Sequence, residues 1–209
     1  MALITTYDTL KTKAAQMYGN GRTDMASYWG DFIQLAESEI NRFLRLNPQT
    51  SVTTLTSASS VLTVPAGWAR LKSIRQTEAN KPKIQTTDIV TVEEYLSEIT
   101  ETGDPCFCCE LDGTIYLAPA PADGVTFRAI YTKLVTALSD SATSNWLLLA
   151  HPDIYLWGTL EQAALWDHDD GAMANYRTKF QIGLASLQKS DRGDQWGDRL
   201  EMQPNGGVA

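Results

Sequence analysis

Two clusters of residues have the types and spacing that could do chemistry. Cys106, Cys108 and Cys109 fall together in PCFCCEL, where thiolates could hold a metal or exchange disulfides, and His168-Asp169-Asp170 has the makings of an acid–base pair. A zinc site needs four ligands, and the only histidines, His151 and His168, stand far from the cysteines without the paired spacing of a zinc motif. On a strand Cys106 and Cys108 share one face and Cys109 takes the other, so the three are badly placed to bridge one another. They read as buried strand residues in a reducing compartment.

The remaining candidates have simpler readings. His168-Asp169-Asp170 sits at the junction of two helical patterns, where a polar, solvated turn is expected. Glu93-Glu94 follows Thr91-Val92 as a capping box that opens a short helix, and His151 marks a helix boundary before Pro152. No Gly-x-Ser-x-Gly, Walker-type loop or Gly-x-Gly-x-x-Gly occurs. The expectation is a protein that is not an enzyme, with no catalytic residue, no cofactor and no metal.

The elements around these residues are organised about SNWLLLAHPDIYLWGTLEQAALWD, which holds three of the six tryptophans. Pro152 suits a first helical position and Asp153 the positive helix end, so a helix starts at about 152. Ile154, Trp157, Leu160, Ala164 and Leu165 make one apolar face, and Tyr155, Leu156, Ala163 and Trp166 widen it past half the circumference. Such a helix is buried on several sides, as the centre of a bundle or as an assembly surface.

Upstream, apolar steps at Tyr7, Leu10, Ala14 and Met17 predict a helix to about 18, capped by Thr5 or Thr6. A longer one over 24–46 carries Tyr28, Phe32, Leu35, Ile40, Phe43 and Leu44 on its apolar side, with Glu37, Glu39, Arg42 and Arg45 outside, and Asn47-Pro48 ends it. From 49 the period falls to two, with β-branched and aromatic residues alternating with polar ones. Asp112-Gly113 signals a tight hairpin, and a final strand covers about 125–133. A last helix over 172–189 has Met173, Tyr176, Phe180, Leu184 and Leu187 as its stripe. The fold class is α+β: a helical bundle from both chain ends (1–47 and 137–189), a small antiparallel β-rich insertion (48–136) and an extended C-terminal tail (190–209).

At 43% hydrophobic and 20% charged, the 209 residues suit one sizeable soluble domain or two small ones. A formal charge of −8 argues against a protein built to grip phosphate backbones. A nucleic-acid module would show a basic stripe, which DFIQLAESEINRFLRL and the tail lack. No apolar run is long enough to span a bilayer, and MALITTYDTLK has neither a basic n-region nor an apolar h-region, which points to a cytosol-like compartment.

Taken in order, LITTYDTLKTKAAQMYG, DFIQLAESEINRFLR, a Thr-rich insertion with VPAGWARLKSI and GTIYLAPAP, and SNWLLLAHPDIYLWGTLEQAALW resemble the head-to-tail adaptor (connector) proteins of short-tailed and related bacteriophages. The likeness covers about residues 3–188. It implies a structural virion protein without catalysis, assembled in the bacterial host cytoplasm: a ring subunit, usually dodecameric, beneath the portal protein. The ring would extend the DNA channel and offer tail or nozzle proteins a docking surface. Genomic DNA would pass without sequence-specific binding through a lumen expected to be acidic or neutral. The C-terminal segment would dock on portal or on a neighbouring copy, with Arg192, Trp196, Arg199, Leu200 and Met202 as contacts. The alternative is a soluble cytosolic protein with an unrecognised enzymatic or binding site.

Overall fold

The computed structural model describes residues 4–19, 22–44, 49–58, 61–99 and 101–195, with residues 190–195 described by backbone alone. The chain divides into two compact units, Met1–Asn47 with Ala137–Ala209, and Pro48–Thr136.

In the first unit, helix α1 (Tyr7–Gly19) opens on a reciprocal cap. Thr6 Oγ1 accepts from Thr9 N–H and Thr9 Oγ1 accepts from Thr6 N–H, satisfying two donors that a helix start leaves open. Helix α2 (Trp29–Phe43) is shorter at both ends than the expected 24–46. Residues 24–28 instead form turns, with Ala26 N bonded to Thr23 O and Tyr28 N to Met25 O. Arg22 fixes this turn by donating at 2.7 Å to both Asp24 and Asp167.

The central helix α5 (Pro152–Trp166) begins where Pro152 predicts. A short helix not expected from the sequence, α4 (Trp146–Ala150), precedes it, with Asn145 Oδ1 accepting from Leu148 N–H as its cap. The chain bends at His151, since Pro152 has no N–H with which to continue the ladder. Residues Ile154, Tyr155, Leu156, Gly158, Thr159, Leu160 and Glu161 are buried and Trp157 between them is half-buried, so α5 is covered around most of its circumference from 154 to 161. It packs against α1, α2, α4 and the last helix, α6 (Asp170–Gln195). Gly158 permits this crowding: a Cβ there would lie 3.0 Å from Phe180 Cε2 and 3.1 Å from Ala36 Cβ.

Helix α6 runs six residues beyond the expected end at 189, into the stretch read as an extended tail. Between Ser190 and Gln195 the only poor helix former of consequence is Gly193. Its cost of about 1 kcal/mol is one that a long continuous helix absorbs.

The second unit is built from β1 (Thr50–Thr56), β2 (Val61–Thr63), β3 (Trp68–Gln76), β4 (Gln85–Thr86), α3 (Ile89–Glu98), β5 (Phe107–Leu111), β6 (Thr114–Ala118) and β7 (Thr126–Lys133). One sheet has the order β1-β7-β3, the other β2-β6-β5-β4. Leu55, Leu71, Ile74, Phe127 and Ala129 of the first and Leu62, Cys108, Ile115 and Leu117 of the second share one core. Helix α3 covers the far side of the second sheet through Val92, against Cys109 and Ala118. The hairpin turn is as expected, with φ of 47° at Asp112 and 71° at Gly113.

Two expectations need correction. The insertion is not wholly antiparallel, because β4 pairs with β5 in parallel. Helix α3 lies between them and returns the chain, which is what a parallel pair requires. The cap of α3 is not Thr91: Asp88 Oδ1 accepts from Thr91 N–H at 2.9 Å, so the helix starts at Ile89 and Glu94 lies beyond any capping box.

Candidate assembly surface

The residues singled out for chemistry are dispersed by the fold. Cys108 and Cys109 are buried on opposite faces of β5, and burial pushes both thiols up, away from the thiolate a nucleophile needs. Cys106 precedes the strand and is half-buried; all three are unbridged. His168 takes φ of 57° in the turn between α5 and α6, and Asp169 Oδ1 accepts from Ala172 N–H, so this triplet makes a helix junction. Glu93 and Glu94 are exposed on α3. Among the described residues no three of His, Cys, Asp or Glu gather as metal ligands would.

A groove of about 620 Å³ beside β3 and β5 includes Arg70, Lys72, Cys109 and Glu110. Of its two carboxylates, Asp112 belongs to the hairpin turn and Glu110 is already engaged, accepting from Trp68 Nε1 at 2.7 Å and from Leu71 N–H at 2.8 Å. Glu110 thereby shields an edge-strand donor while Trp68 stacks on Tyr131 at 4.0 Å. Burial raises the pKa of the Cys109 thiol in this groove, and Glu110 is held by the frame rather than by any titratable partner.

Burial also takes two carboxylates, Glu37, which periodicity places outside and the fold instead buries, and Glu161, which periodicity leaves unremarked. Glu37 Oε1 accepts from Leu138 N–H at 2.8 Å and from Tyr155 Oη at 3.1 Å. Desolvation raises its pKa, and those two hydrogen bonds pull the other way. Glu161 is buried with Oε2 lacking any hydrogen-bond partner, and Arg177 Nη1 lies 3.9 Å from Oε1. Desolvation first, and Glu39 second, raise its pKa.

The helical unit also offers several large apolar side chains to solvent. Leu35 on α2 is 54% exposed, and Leu165 and Trp166 at the end of α5 are 54% and 40% exposed. Trp166 packs at 5.4 Å on the exposed Tyr28 and at 6.3 Å on the buried Phe32, so a patch of rings reaches the surface from the core. A separate apolar groove of about 240 Å³ lies along Phe43, Leu184 and Ala185. Tyr28, Leu35, Phe43 and Leu165 all belong to the apolar stripes read from periodicity. The fold buries only part of each stripe, as it would where other molecules cover the remainder.

Of the five expected contact residues, Arg192 lies in the helical backbone of α6, and its side chain is outside the described residues. Trp196, Arg199, Leu200 and Met202 lie outside them altogether.

The described residues thus form an α+β chain with unbridged cysteines, a histidine turn and exposed large apolar side chains. The SU10 adaptor protein family matches residues 5–203, and the chain belongs to that family, a bacteriophage head-to-tail adaptor family of structural proteins. No curated protein matches the chain. Among the described residues no helix is long and apolar enough to cross a membrane.

Proposed function

We propose that the chain is the repeating subunit of a ring, dodecameric as in similar adaptors, that sits beneath the portal and extends the DNA channel. The observation that carries this reading is membership of the adaptor family over residues 5–203. The solvent-open side chains of Tyr28, Leu35, Leu165 and Trp166 support it, because large aromatic and aliphatic groups are the usual anchors of protein interfaces. In this reading the helical bundle and the β insertion form the body of the ring. Tail or nozzle proteins dock on the completed ring, and DNA passes without sequence-specific contacts. The segment from Ser190 onward is the portal-docking arm, with Arg192, Trp196, Arg199, Leu200 and Met202 as its contacts.

Native mass spectrometry and negative-stain imaging of the full chain, alone and with its portal, test the proposal. Rings in solution or on the portal are expected. A monomer indifferent to the portal overturns the reading and favours a soluble protein with a different site.

A further inference from the structure

The second unit is electrically two-sided. None of the strands β1, β7 and β3 contains an Asp or Glu, yet they carry Arg70, Lys72, Arg75, Arg128 and Lys133. Register sorts most of these onto one face. Ile74 opposite Ala129 and Gln76 opposite Phe127 point inward, so Arg75 opposite Arg128, and Arg128 opposite Thr54, point outward. Arg70 opposite Thr132 shares the outer face. The register shift between Leu71 and Ser73 turns Lys72 outward as well, where its Nζ donates to Thr50 Oγ1 at 2.7 Å. Among the described residues none of these cations meets a carboxylate. Like charges directly opposite one another, as at Arg75 and Arg128, are unfavourable in a sheet that works alone.

The opposite side of the same layered unit is the outer surface of α3, whose sequence IVTVEEYLSE has no cation. Glu93, Glu94 and Glu98 are exposed there, and among the described residues none is ion-paired. Each side also has an exposed aliphatic, Val52 at 53% on the edge strand β1 and Val90 at 61% in the first turn of α3. The unit as a whole is acidic, so the basic face stands out from its own background.

We infer that the outer face of β1-β7-β3 in one copy docks on the outer face of α3 in a second copy of this chain, cation to carboxylate, with the exposed Val52 and Val90 covered in the same contact. An interface between two different faces of identical subunits is head-to-tail, and it closes into a ring when the rotation per step permits. The charge match would fix the direction and register of packing more than its strength. A phosphate backbone would also suit cations and threonine hydroxyls, but it would leave the unpaired carboxylates of α3 and the exposed aliphatics without a role. The inference rests on the ring reading above and names which faces meet.

Two full-length charge-reversal variants test it, Arg75→Glu with Arg128→Glu, and Glu93→Lys with Glu94→Lys, assayed by native mass spectrometry under the conditions in which the wild type forms rings, with the portal if needed. Each variant alone is expected to lose assembly. The two mixed in equal amounts should recover it in alternation, since each then presents the charge that the other lacks. Recovery on mixing also shows that both variants are folded. Rings formed by either variant alone overturn the inference while leaving the ring reading intact, and absence of wild-type rings in every condition overturns both. Failure of the mixture overturns the inference if circular dichroism shows both variants folded; if one is misfolded, the single-site pair Arg75→Gln and Glu94→Gln decides, each expected to weaken assembly at least tenfold, with unweakened assembly overturning it. Salt-dependent binding of a short DNA duplex that the Arg75→Glu, Arg128→Glu variant loses, together with unimpaired rings, would assign the face to phosphate instead.

Discussion

The phenol of Tyr155 in the central helix donates to Glu37 of α2 at 3.1 Å, across 118 positions of sequence. The same phenol oxygen accepts from Asn145 Nδ2 at 2.6 Å, and the same carboxylate oxygen accepts from Leu138 N–H. Three separate segments are therefore tied at one buried point, and Tyr155, fully buried, has its pKa pushed up first by desolvation. Tyr155→Phe deletes the shared hydroxyl and takes one hydrogen bond from the carboxylate and one from the amide. A loss of about 1–3 kcal/mol is expected, the usual range for hydrogen bonds removed from buried polar groups. A denaturant titration checks it, and an unchanged midpoint would show that the knot contributes nothing.

Glu161 is the opposite case, a buried carboxylate whose Oε2 has no partner. Glu161→Leu removes that desolvated group with a good helix former of similar size, and should stabilise the chain by about 1–3 kcal/mol at neutral pH. The pH dependence carries a definite sign. Because the folded pKa is raised, the protonated acid is the form that folding favours. Its relative contribution is fully present below the ordinary carboxylate pKa and is lost as pH rises through the raised one. The variant's advantage over the wild type should therefore be small in acid and open toward neutral pH. An advantage that shrinks on going from acid to neutral would contradict this assignment.

The start of α3 distinguishes two local readings of one stretch. Asp88→Ala should lower the melting temperature, whereas Glu94→Ala should not, because the cap is Asp88 accepting from Thr91 N–H and Oγ1. Those two bonds hold the Asp88 carboxyl below its usual pKa. Its contribution is therefore present above the ordinary Asp pKa and lost as pH falls through the depressed one. Equal effects of the two substitutions would restore the capping box at Thr91.

These examples show which features a sequence states locally. The Asp112-Gly113 hairpin and the Pro152 helix start were legible because a turn's φ requirement and a missing N–H act within a few residues. The cap at Asp88 was missed although it is just as local, because two adjacent stretches both offered an acceptor. Helix α4 was missed since five residues are too few for a periodic signal. Glu37 and Glu161 were read as outward or passed over, since what buries them comes from other helices. The basic sheet face needed the register of strands far apart in sequence to bring Arg75 beside Arg128. A whole-chain charge of −8 conceals it, because a sum carries no geometry.

The C-terminal segment gives the sharpest test of the proposed docking arm. Because α6 continues to Gln195, a cut at 189 would remove helix as well as arm, and the informative truncation keeps residues 1–195. Residues 196–209 hold Trp196, Arg199, Leu200 and Met202, and the family match runs through residue 203, so these four lie inside the matched span while Pro204 to Ala209 lie beyond it. A chain ending at 203 should then bind portal as the full chain does. A chain ending at 195 should melt at the wild-type temperature but lose portal affinity at least tenfold. Trp196→Ala should reproduce much of that loss, since truncating a tryptophan hot spot costs about 2 kcal/mol or more. Surface plasmon resonance on immobilised portal measures all three. Binding by the 1–195 chain as tight as the full chain's would remove residues 196–209, with Trp196, Arg199, Leu200 and Met202, from the interface and leave Arg192 and the exposed Tyr28, Leu35, Leu165 and Trp166 as the candidates for the surface that meets the portal.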